Sequence, residues 1–327
     1  ARNSKLHELK GRLASNLQTT FWMVDYENDS ATWYSIDGNE PQEITTYFIG
    51  DKGFFDFLVS PNENLTAISG GGISIINQEG EVKYLDSTTG SRAEIWTSNE
   101  NFLYTLVPDP DRDMTNPLEE LYGPQEYMIK KFTLNGKNEV GFTSEIIPYD
   151  NQSPRSLEWI DEDKVMVINS GFDDGSFDEI LNLNTGDIFT IGDTSGALGG
   201  RYIDEKNNYF ILAGEFYPED YVFEQNDTMI TRELRIYDKE GNKIYQHSID
   251  TDEYIGIDVV GYGSNNIYFT AQKKGGPLYV IAGLDTKEND IREIGEPSVT
   301  YMSANLLGSR ELLSVNEDHI SYVDVAK

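Results

Sequence analysis

Hydrophobic and polar positions alternate along the chain in short segments, and no long stretch keeps the spacing of a helix. Segments rich in Tyr, Phe, Val, Ile and Thr recur roughly every 8 to 12 residues. Pairs such as Asp-Gly, Glu-Gly, Asn-Gly and Thr-Gly, which favour tight turns, separate them. The pattern predicts an all-β fold.

The turn pairs belong to a larger repeat, in which a hairpin joins two strands that we label c and d. A second hairpin, joining strands a and b, precedes it in several copies, as in SPNENLTAIS within residues 56–69 and in the segments 156–170, 200–214 and 257–271. A repeat of four strands over roughly 40 to 50 residues is typical of β-propeller blades. The six c–d hairpins are SIDGNEPQEITTY, IINQEGEVKYLD, FTLNGKNEVGFT, LNLNTGDIFTI, IYDKEGNKIYQHS and AGLDTKENDIREI.

The repeats predict one domain over residues 1–327, a seven-bladed β-propeller of four-stranded antiparallel blades. The last unit supplies strands a, b and c only. We expect the N-terminal segment 5–13 to pair with this unit as its outer strand, which would close the ring without an exposed edge. The predicted blades are 14–50, 54–90, 92–150, 155–195, 198–250, 255–296 and 298–327.

The segment SPNENLTAIS is similar to the Ser-Pro-Asp-Gly-x-x-Leu turn of TolB-like and YVTN-type repeats, so the chain resembles the broad β-propeller superfamily. The resemblance covers nearly the whole chain as a degenerate repeat. It lacks the Gly-His and Trp-Asp pairs of WD40 blades, the aspartate boxes of sialidases and the Trp-docking repeats of quinoprotein dehydrogenases. The resemblance therefore implies the fold, and it assigns no functional residue.

Composition narrows the classes of partner. Fifty-seven acidic residues against 25 Lys and Arg give a formal net charge of −32, which disfavours nucleic acid and anionic lipid. The absence of cysteine excludes disulfides, thiolate metal sites and cysteine nucleophiles. No apolar run is long enough for a transmembrane helix, and the first residues are typical of a processed terminus. We expect a monomeric, extracytoplasmic protein of the bacterial cell envelope, either periplasmic or secreted. Attachment by a lipid at the processed N-terminus is one alternative.

Three neighbouring blades carry long b–c connections, over residues 108–126, 170–179 and 216–231. Ligands commonly bind at b–c loops or in the central channel of a propeller. The predicted rim is acidic and aromatic, and packing of the long loops onto their own blades is the simpler role for the aromatic residues. The candidate ligand-binding residues are Tyr122, Phe172, Phe177, Tyr217, Tyr221 and Phe223.

Acidic residues in the first two connections raise the question of calcium. Asp109, Asp111, Asp113 and Glu120 occupy positions one, three, five and twelve of the EF-hand spacing, which supplies hard oxygen ligands. Position six is Met114 instead of the Gly that the sharp turn requires. Asp173 and Asp174 form a second candidate group. Two interpretations stay open: a cation site, and a solvated acidic insertion, which the composition favours.

Catalytic motifs are scarce. His7, His247 and His319 lie in separate predicted strands, away from the loops, so a Ser-His-Asp triad has no local support. The leading hypothesis is a non-enzymatic propeller that binds a protein, glycan or other ligand at the rim. The alternative is a calcium-assisted polysaccharide lyase or hydrolase that uses the same rim, and a third hypothesis is a structural scaffold.

Overall fold

The computed structural model describes residues 7–8, 12–37, 40–49, 55–111, 126–135, 141–149, 154–161, 163–169, 176–204, 209–216, 231–250, 252–263, 265–300, 302–307, 311–316 and 319–325. Every regular element in these ranges is a β-strand. None of the residues described forms a helix that is long and apolar enough to cross a membrane. The predicted all-β class is confirmed.

Thirteen strands precede residue 150, and most are joined by tight turns. Twelve of them form three four-stranded sheets, β2 to β5, β6 to β9 and β10 to β13, and β1 belongs to a sheet described below. Their bounds are β1 His7–Glu8, β2 Arg12–Leu13, β3 Thr20–Asp25, β4 Ser30–Asp37, β5 Glu40–Phe48, β6 Asp56–Val59, β7 Leu65–Ser69, β8 Ile73–Asn77, β9 Val82–Asp86, β10 Arg92–Trp96, β11 Phe102–Pro108, β12 Tyr127–Asn135 and β13 Gly141–Ile147.

Fourteen strands follow. Strands β14 to β20 form one sheet of seven, β21 to β24 a sheet of four, and β25 to β27 a sheet that β1 completes. Their bounds are β14 Pro154–Asp161, β15 Lys164–Asn169, β16 Ser176–Asn182, β17 Ile188–Asp204, β18 Tyr209–Phe216, β19 Thr231–Asp238, β20 Lys243–Ser248, β21 Tyr254–Gly263, β22 Asn266–Lys273, β23 Tyr279–Asp285, β24 Asp290–Ser298, β25 Met302–Leu307, β26 Glu311–Asn316 and β27 His319–Asp324.

The predicted hairpins agree with these strands, and the predicted blade count does not follow directly from them. All six c–d hairpins and the four a–b hairpins join antiparallel neighbours. The described strands nevertheless form six sheets, because the 17-residue strand β17 is continuous through the predicted boundary between blades four and five. The count of seven blades stays a prediction.

The N-terminal segment pairs with the last sheet, as expected. His7 lies opposite Ile320 and Glu8 opposite His319, so β1 is the fourth strand beside β27. The prediction of a single strand over 5–13 was wrong, because Arg12 and Leu13 pair instead with Val24 and Met23 of β3. These two residues are the first strand of the first sheet.

The chain divides into two compact units. In the unit of residues 10–170 and 181–188, hydrophobic clusters fill the spaces between successive sheets. Between the first and second sheets, Trp22 stacks on Phe57 at a centroid distance of 4.6 Å and on Trp33 at 5.5 Å. Trp96 is also buried, which confirms core packing for three of the four tryptophans. Trp159 lies in β14, and its side chain is outside the described part of the structure.

The unit of residues 1–9, 171–180 and 189–327 repeats this arrangement. One cluster lies between the strands β18 to β20 and the sheet β21 to β24, and includes Leu234 and Phe269. A second cluster joins that sheet to β25 to β27 through Tyr268, Leu312 and Val325. Face-to-face packing of successive antiparallel sheets is the arrangement of propeller blades.

Two glutamates connect successive sheets at the a–b turns. Glu63 and Glu100 have positive φ angles of 59° and 58°, a conformation that is uncommon for residues other than Gly. The Thr20 N–H donates to Glu63 Oε1 over 3.1 Å. The Asn62 N–H donates to Glu100 Oε1 over 3.0 Å, and the Ser60 hydroxyl donates to the same oxygen. Each carboxylate thus satisfies donors of the preceding sheet, which offsets the cost of the left-handed backbone.

Candidate functional site

Most residues of the predicted rim lie outside the described part of the structure. This applies to Tyr122, Phe172, Tyr217, Tyr221 and Phe223 among the ligand-binding candidates, and to Asp113, Glu120, Asp173 and Asp174 among the metal candidates. The strands that flank the long connections are described. Strand β11 ends at Pro108 and β12 begins at Tyr127, whereas β18 ends at Phe216 and β19 begins at Thr231. These flanking strands end and begin within one residue of the predicted bounds 108–126 and 216–231.

The connection in blade four is shorter than predicted. Strand β16 begins at Ser176, so Phe177 lies in this strand and not in the loop. In the segment Phe177-Asp178-Glu179-Ile180 two acidic residues stand between two hydrophobic ones, so the sequence lacks the strict alternation that marks a strand. The acidic residues beside Gly175 misled the sequence analysis, since Asp and Gly are also turn residues.

Asp109 and Asp111 begin the insertion of blade three. The Asp111 N–H donates to Asp109 Oδ1 over 2.8 Å, and the Asp109 N–H donates to the Glu126 carbonyl over 2.9 Å. The first bond is an Asx turn, a common role of Asp at the start of a loop. The second bond holds both ends of the insertion together. No group of three or more His, Cys, Asp or Glu suited to a metal ion occurs among the described residues, and the other predicted metal ligands are not among them.

A charged cluster lies at the strands that flank this insertion. Tyr127 follows Glu126 and begins β12, and the guanidinium of Arg92 lies over its ring at 4.8 Å from the centroid. Arg92 begins β10, the innermost strand of its sheet. Its side chain is 41% exposed. The aromatic ring therefore lies against a cation that reaches solvent, next to Glu126 at the end of the insertion.

Glu94 links this cluster to the next inner strand. Its carboxylate accepts a hydrogen bond from the Leu157 N–H over 3.2 Å and another from the Ser156 hydroxyl, both on β14. Arg92 Nε lies 3.6 Å from Glu94 Oε1, and the Glu94 side chain is 11% exposed. Burial raises the pKa of Glu94 to about 7, against the charge of Arg92 and both hydrogen bonds, while the charge of Glu158 acts with burial. Glu94 therefore changes charge near neutral pH.

Asp56 adds a second carboxyl group from the preceding sheet. It begins β6, and the Phe57 N–H donates to its Oδ1 over 3.0 Å. Burial raises the pKa of Asp56, although this hydrogen bond and the charge of Arg92 act in the opposite direction. Strands β6, β10 and β12 thus bring together one partly exposed cation, two carboxyl groups with raised pKa values and a tyrosine ring, and β14 supplies two hydrogen-bond donors. Such a set can bind polar or charged groups and can transfer a proton.

Loop length and acidic composition, the features from which the rim was predicted, do not indicate this cluster. The segments RAEIW, at 92–96, and RSLEW, at 155–159, carry Arg, Glu and Trp in the same order on neighbouring inner strands. An alignment of blades by their a strands would have shown the recurrence. A strand pattern alone does not reveal which alternate residues face a neighbouring sheet, so the contact between Glu94 and Leu157 required the structure.

Comparison with known proteins identifies the fold. No family model matches the chain, and no curated protein matches it. Among solved structures, an oligogalacturonate lyase from Vibrio parahaemolyticus has a TM-score of 0.62 at 10% identity, over 99% of this chain and 92% of that chain. Hydrazine synthase from Kuenenia stuttgartiensis has a TM-score of 0.58 at 10% identity, over 97% of each chain. The chain is a β-propeller.

A prolyl endopeptidase has a TM-score of 0.61 at 11% identity, and the match covers 99% of this chain and 50% of that chain. The present chain spans about half the length of the prolyl endopeptidase and puromycin hydrolase chains that it matches. At these identities the likeness concerns the fold alone. The similar proteins act on different substrates, which is usual for propellers because function depends on the site.

Proposed function

We propose that this protein is a non-enzymatic, ligand-binding β-propeller of the cell envelope, and that its binding site is the edge at which β10, β12 and β14 begin. The observation that carries the proposal is the position of Arg92. Its guanidinium lies on the Tyr127 ring, beside Glu94, at the base of the insertion 109–126. Arg and Tyr are enriched among residues that dominate binding energies.

The surroundings of Arg92 support binding over a purely structural ion pair. Arg235 provides the comparison, because its Nε lies 2.6 Å from Glu233 Oε2 and its side chain is 11% exposed. Arg92 is 41% exposed and lies 3.6 Å from its carboxylate. A stacked, partly solvated guanidinium loses little conformational entropy when a ligand binds, because the ring already holds it in place. A protein surface or a glycan are the ligand classes in the proposal.

The proposal also retains seven blades. The seven-stranded sheet fits two blades that share the long strand β17 as the outer strand of one and the inner strand of the next. Two register shifts, between Ser195 and Leu198 and between Leu198 and Arg201, interrupt its pairing with β18. Bulges of this kind bend a strand and increase its twist, which is the geometry that such a shared strand needs.

The test is a binding screen with a matched loop exchange. Wild-type protein is screened against an array of neutral and acidic oligosaccharides and a panel of purified envelope proteins. In one variant Asn-Gly replaces residues 109–126, and in the control Asn-Gly replaces residues 239–242 in the β19–β20 turn. We expect the first exchange to weaken the best interaction at least tenfold and the control to leave it unchanged. If the first exchange leaves every interaction intact, the proposed site is wrong.

One observation favours a second candidate function, an enzyme of the polysaccharide lyase or hydrolase type. A carboxyl group whose pKa is about 7, such as Glu94, suits general acid–base catalysis near neutral pH. The test is product formation from a panel of polysaccharides by wild type and a Glu94→Gln variant. An enzyme that uses Glu94 would lose turnover in the variant and still bind substrate. Equal turnover in both proteins would remove this candidate.

A further inference from the structure

Arginine recurs at the start of inner strands. Arg12 begins β2, Arg92 begins β10 and Arg155 is the second residue of β14. In each case Gly, Ser or Pro precedes the arginine, and the same order appears in the other unit at Gly200-Arg201. Basic residues are outnumbered 25 to 57 in this chain, so a repeated arginine at one strand position is unexpected from composition.

Backbone contacts place the starts of these strands side by side. The Phe57 N–H donates to the Ala14 carbonyl over 3.0 Å, so the segment that follows Arg12 adjoins β6. The Leu157 N–H donates to Glu94 over 3.2 Å, so the residues that follow Arg155 adjoin β10. Asp56 of β6 lies close enough to Arg92 for the charges to interact. Arg12, Arg92 and Arg155 therefore begin strands that meet along one edge of the same unit.

The environment of Arg92 indicates the kind of ligand group. The guanidinium carbon lies over the Tyr127 ring at 4.8 Å from the centroid, and the N–H donors of a guanidinium lie in the plane of the group. Those donors match the two oxygens of a carboxylate, and such charge-assisted, bidentate bonds are strong and geometrically specific. Arg12 is exposed as well. With Arg12 and Arg92 along this edge, an acidic protein has a local site for negative charge within a surface that otherwise repels it.

We propose that this edge binds the carboxylate of a small anionic ligand, with Arg92 as the main contact. The inference rests on the proposed function and deepens it by naming the ligand chemistry. An acidic sugar and a small polycarboxylate carry the same group, so both are sources that the experiment must separate. Phosphate esters present a different, tetrahedral group and are a comparison in the same assay.

Glu94 competes with such a ligand. It lies beside Arg92 on β10, accepts hydrogen bonds from Ser156 and Leu157 of β14, and faces the charge of Glu158. Asp56 of β6 is the other carboxyl group near Arg92. When Glu94 gains a proton, its negative charge beside Arg92 disappears, and the arginine is better able to attract a carboxylate. Affinity should therefore increase as the pH falls through about 7.

The experiment is calorimetric titration at pH 8 and pH 6 with four probes. These are a trisaccharide of hexuronate units, its methyl ester, citrate and a sugar phosphate. The variants are Arg92→Gln, Glu94→Gln and the control Lys287→Met, which removes one exposed positive charge in the β23–β24 turn. Circular dichroism and the melting midpoint check that each variant is folded.

We expect the trisaccharide or citrate to bind and the methyl ester not to bind. Arg92→Gln should weaken binding roughly 10- to 100-fold, since it removes a charge-assisted interaction. Glu94→Gln should bind more tightly than wild type at pH 8 and lose most of the pH dependence, and this variant keeps the inference testable if Arg92→Gln does not fold. Binding of the trisaccharide alone would identify an acidic sugar, and binding of citrate alone a small polycarboxylate.

Three outcomes would overturn the inference: equal binding of ester and acid, a phosphate preference, or no effect of Arg92→Gln. Absence of binding by both carboxylate probes would overturn it as well. In each case the proposed function stands if the exchange of residues 109–126 abolishes another interaction. Conversely, if Arg92→Gln abolishes carboxylate binding and the loop exchange does not affect it, the carboxylate site is correct and the insertion is not part of it.

Discussion

Glu94 lies in β10 and Glu100 in the turn between β10 and β11, and both reach a neighbouring sheet. Glu100 accepts the Ser60 hydroxyl and the Asn62 N–H of the preceding sheet. Glu94 accepts the Leu157 N–H of the following sheet. Both side chains are largely buried, at 8% exposure for Glu100 as a residue and 11% for the Glu94 side chain. The two carboxylates are therefore alike in their burial and in accepting hydrogen bonds from a neighbouring sheet.

The difference lies in what else surrounds each carboxylate. The described partners of Glu100 are neutral donors of a tight turn, so its carboxylate holds two sheets together and positions their a–b ends. Glu94 lies among Arg92, Glu158 and Asp56, next to a solvent-exposed edge. Charged neighbours and partial burial make the protonation of Glu94 sensitive to pH and to a ligand. A buried acidic residue indicates a functional site only when its hydrogen-bond partners do not already explain why it is buried.

The largest predicted effect tests the structural half of this comparison. In Glu100→Ala, the buried Ser60 hydroxyl and the Asn62 N–H lose their acceptor. Each unpaired donor costs about 1 to 3 kcal/mol, so we expect the free energy of unfolding to fall by roughly 2 to 5 kcal/mol. Urea denaturation followed by circular dichroism measures it. A loss below about 0.5 kcal/mol, the usual range of surface substitutions, would contradict the assigned role.

The second prediction concerns Glu94 and the pH. Its pKa is about 7 in the folded protein and 4.5 as the ordinary value. Between these values the folded state binds more protons than the unfolded state, so stability falls as the pH rises and is constant above about 7. Glu94→Gln removes this dependence. Relative to wild type, the variant should gain on the order of 3 kcal/mol between pH 4.5 and pH 8.

Urea denaturation of both proteins at several pH values measures this gain. Comparison with the variant removes the pH dependence that the other carboxyl groups contribute to both proteins. Asp86→Asn is an informative control, because burial raises the pKa of Asp86 but the Lys130 and Thr88 hydrogen bonds outweigh it and lower the pKa. Its difference from wild type should change with pH in the opposite direction. Parallel curves for wild type and Glu94→Gln would show that Glu94 titrates normally.

The third prediction separates the two a–b turn glutamates. The Glu63 carboxylate accepts hydrogen bonds from Thr19 and Thr20, and the Glu100 carboxylate accepts them from Ser60 and Asn62. The contact between Glu63 and Thr19 is exposed to solvent. Water can replace Glu63 at that site, so Glu63→Ala should cost about 1 kcal/mol, less than Glu100→Ala. The same denaturation experiment decides. A greater loss in Glu63→Ala than in Glu100→Ala would show that burial does not set the strength of these contacts.

The contacts of Glu94 and Glu100 also show what the sequence could reveal. The strands and their hairpins followed from alternation and turn residues, because these are local signals, and the pairing of β1 with β27 followed from the last repeat, which lacks its outer strand. The repeated Asn-Glu-Asn at 62–64 and 99–101 was visible in the sequence, but the positive φ of its central Glu and the bond to the preceding sheet were not. The Arg92 cluster depends on four strands, β6, β10, β12 and β14, which are far apart in the chain. Continuous β17 was missed because its Gly- and Ser-rich middle resembles a loop.

The smallest predicted effect concerns calcium at the insertion above Arg92. One oxygen of Asp109 already accepts the Asp111 N–H, as in a metal-free Asx turn. We therefore expect calcium to raise the melting midpoint no more than magnesium at equal ionic strength. Wild type and an Asp109→Asn, Asp111→Asn variant would be compared in EDTA and across a calcium titration. A saturable, calcium-selective rise that the variant lacks would instead establish a site, since a ligand that binds only the folded state stabilises it by mass action. Ligand binding at the edge where β10, β12 and β14 begin would then depend on a cation, whereas the contacts of Glu100 would not.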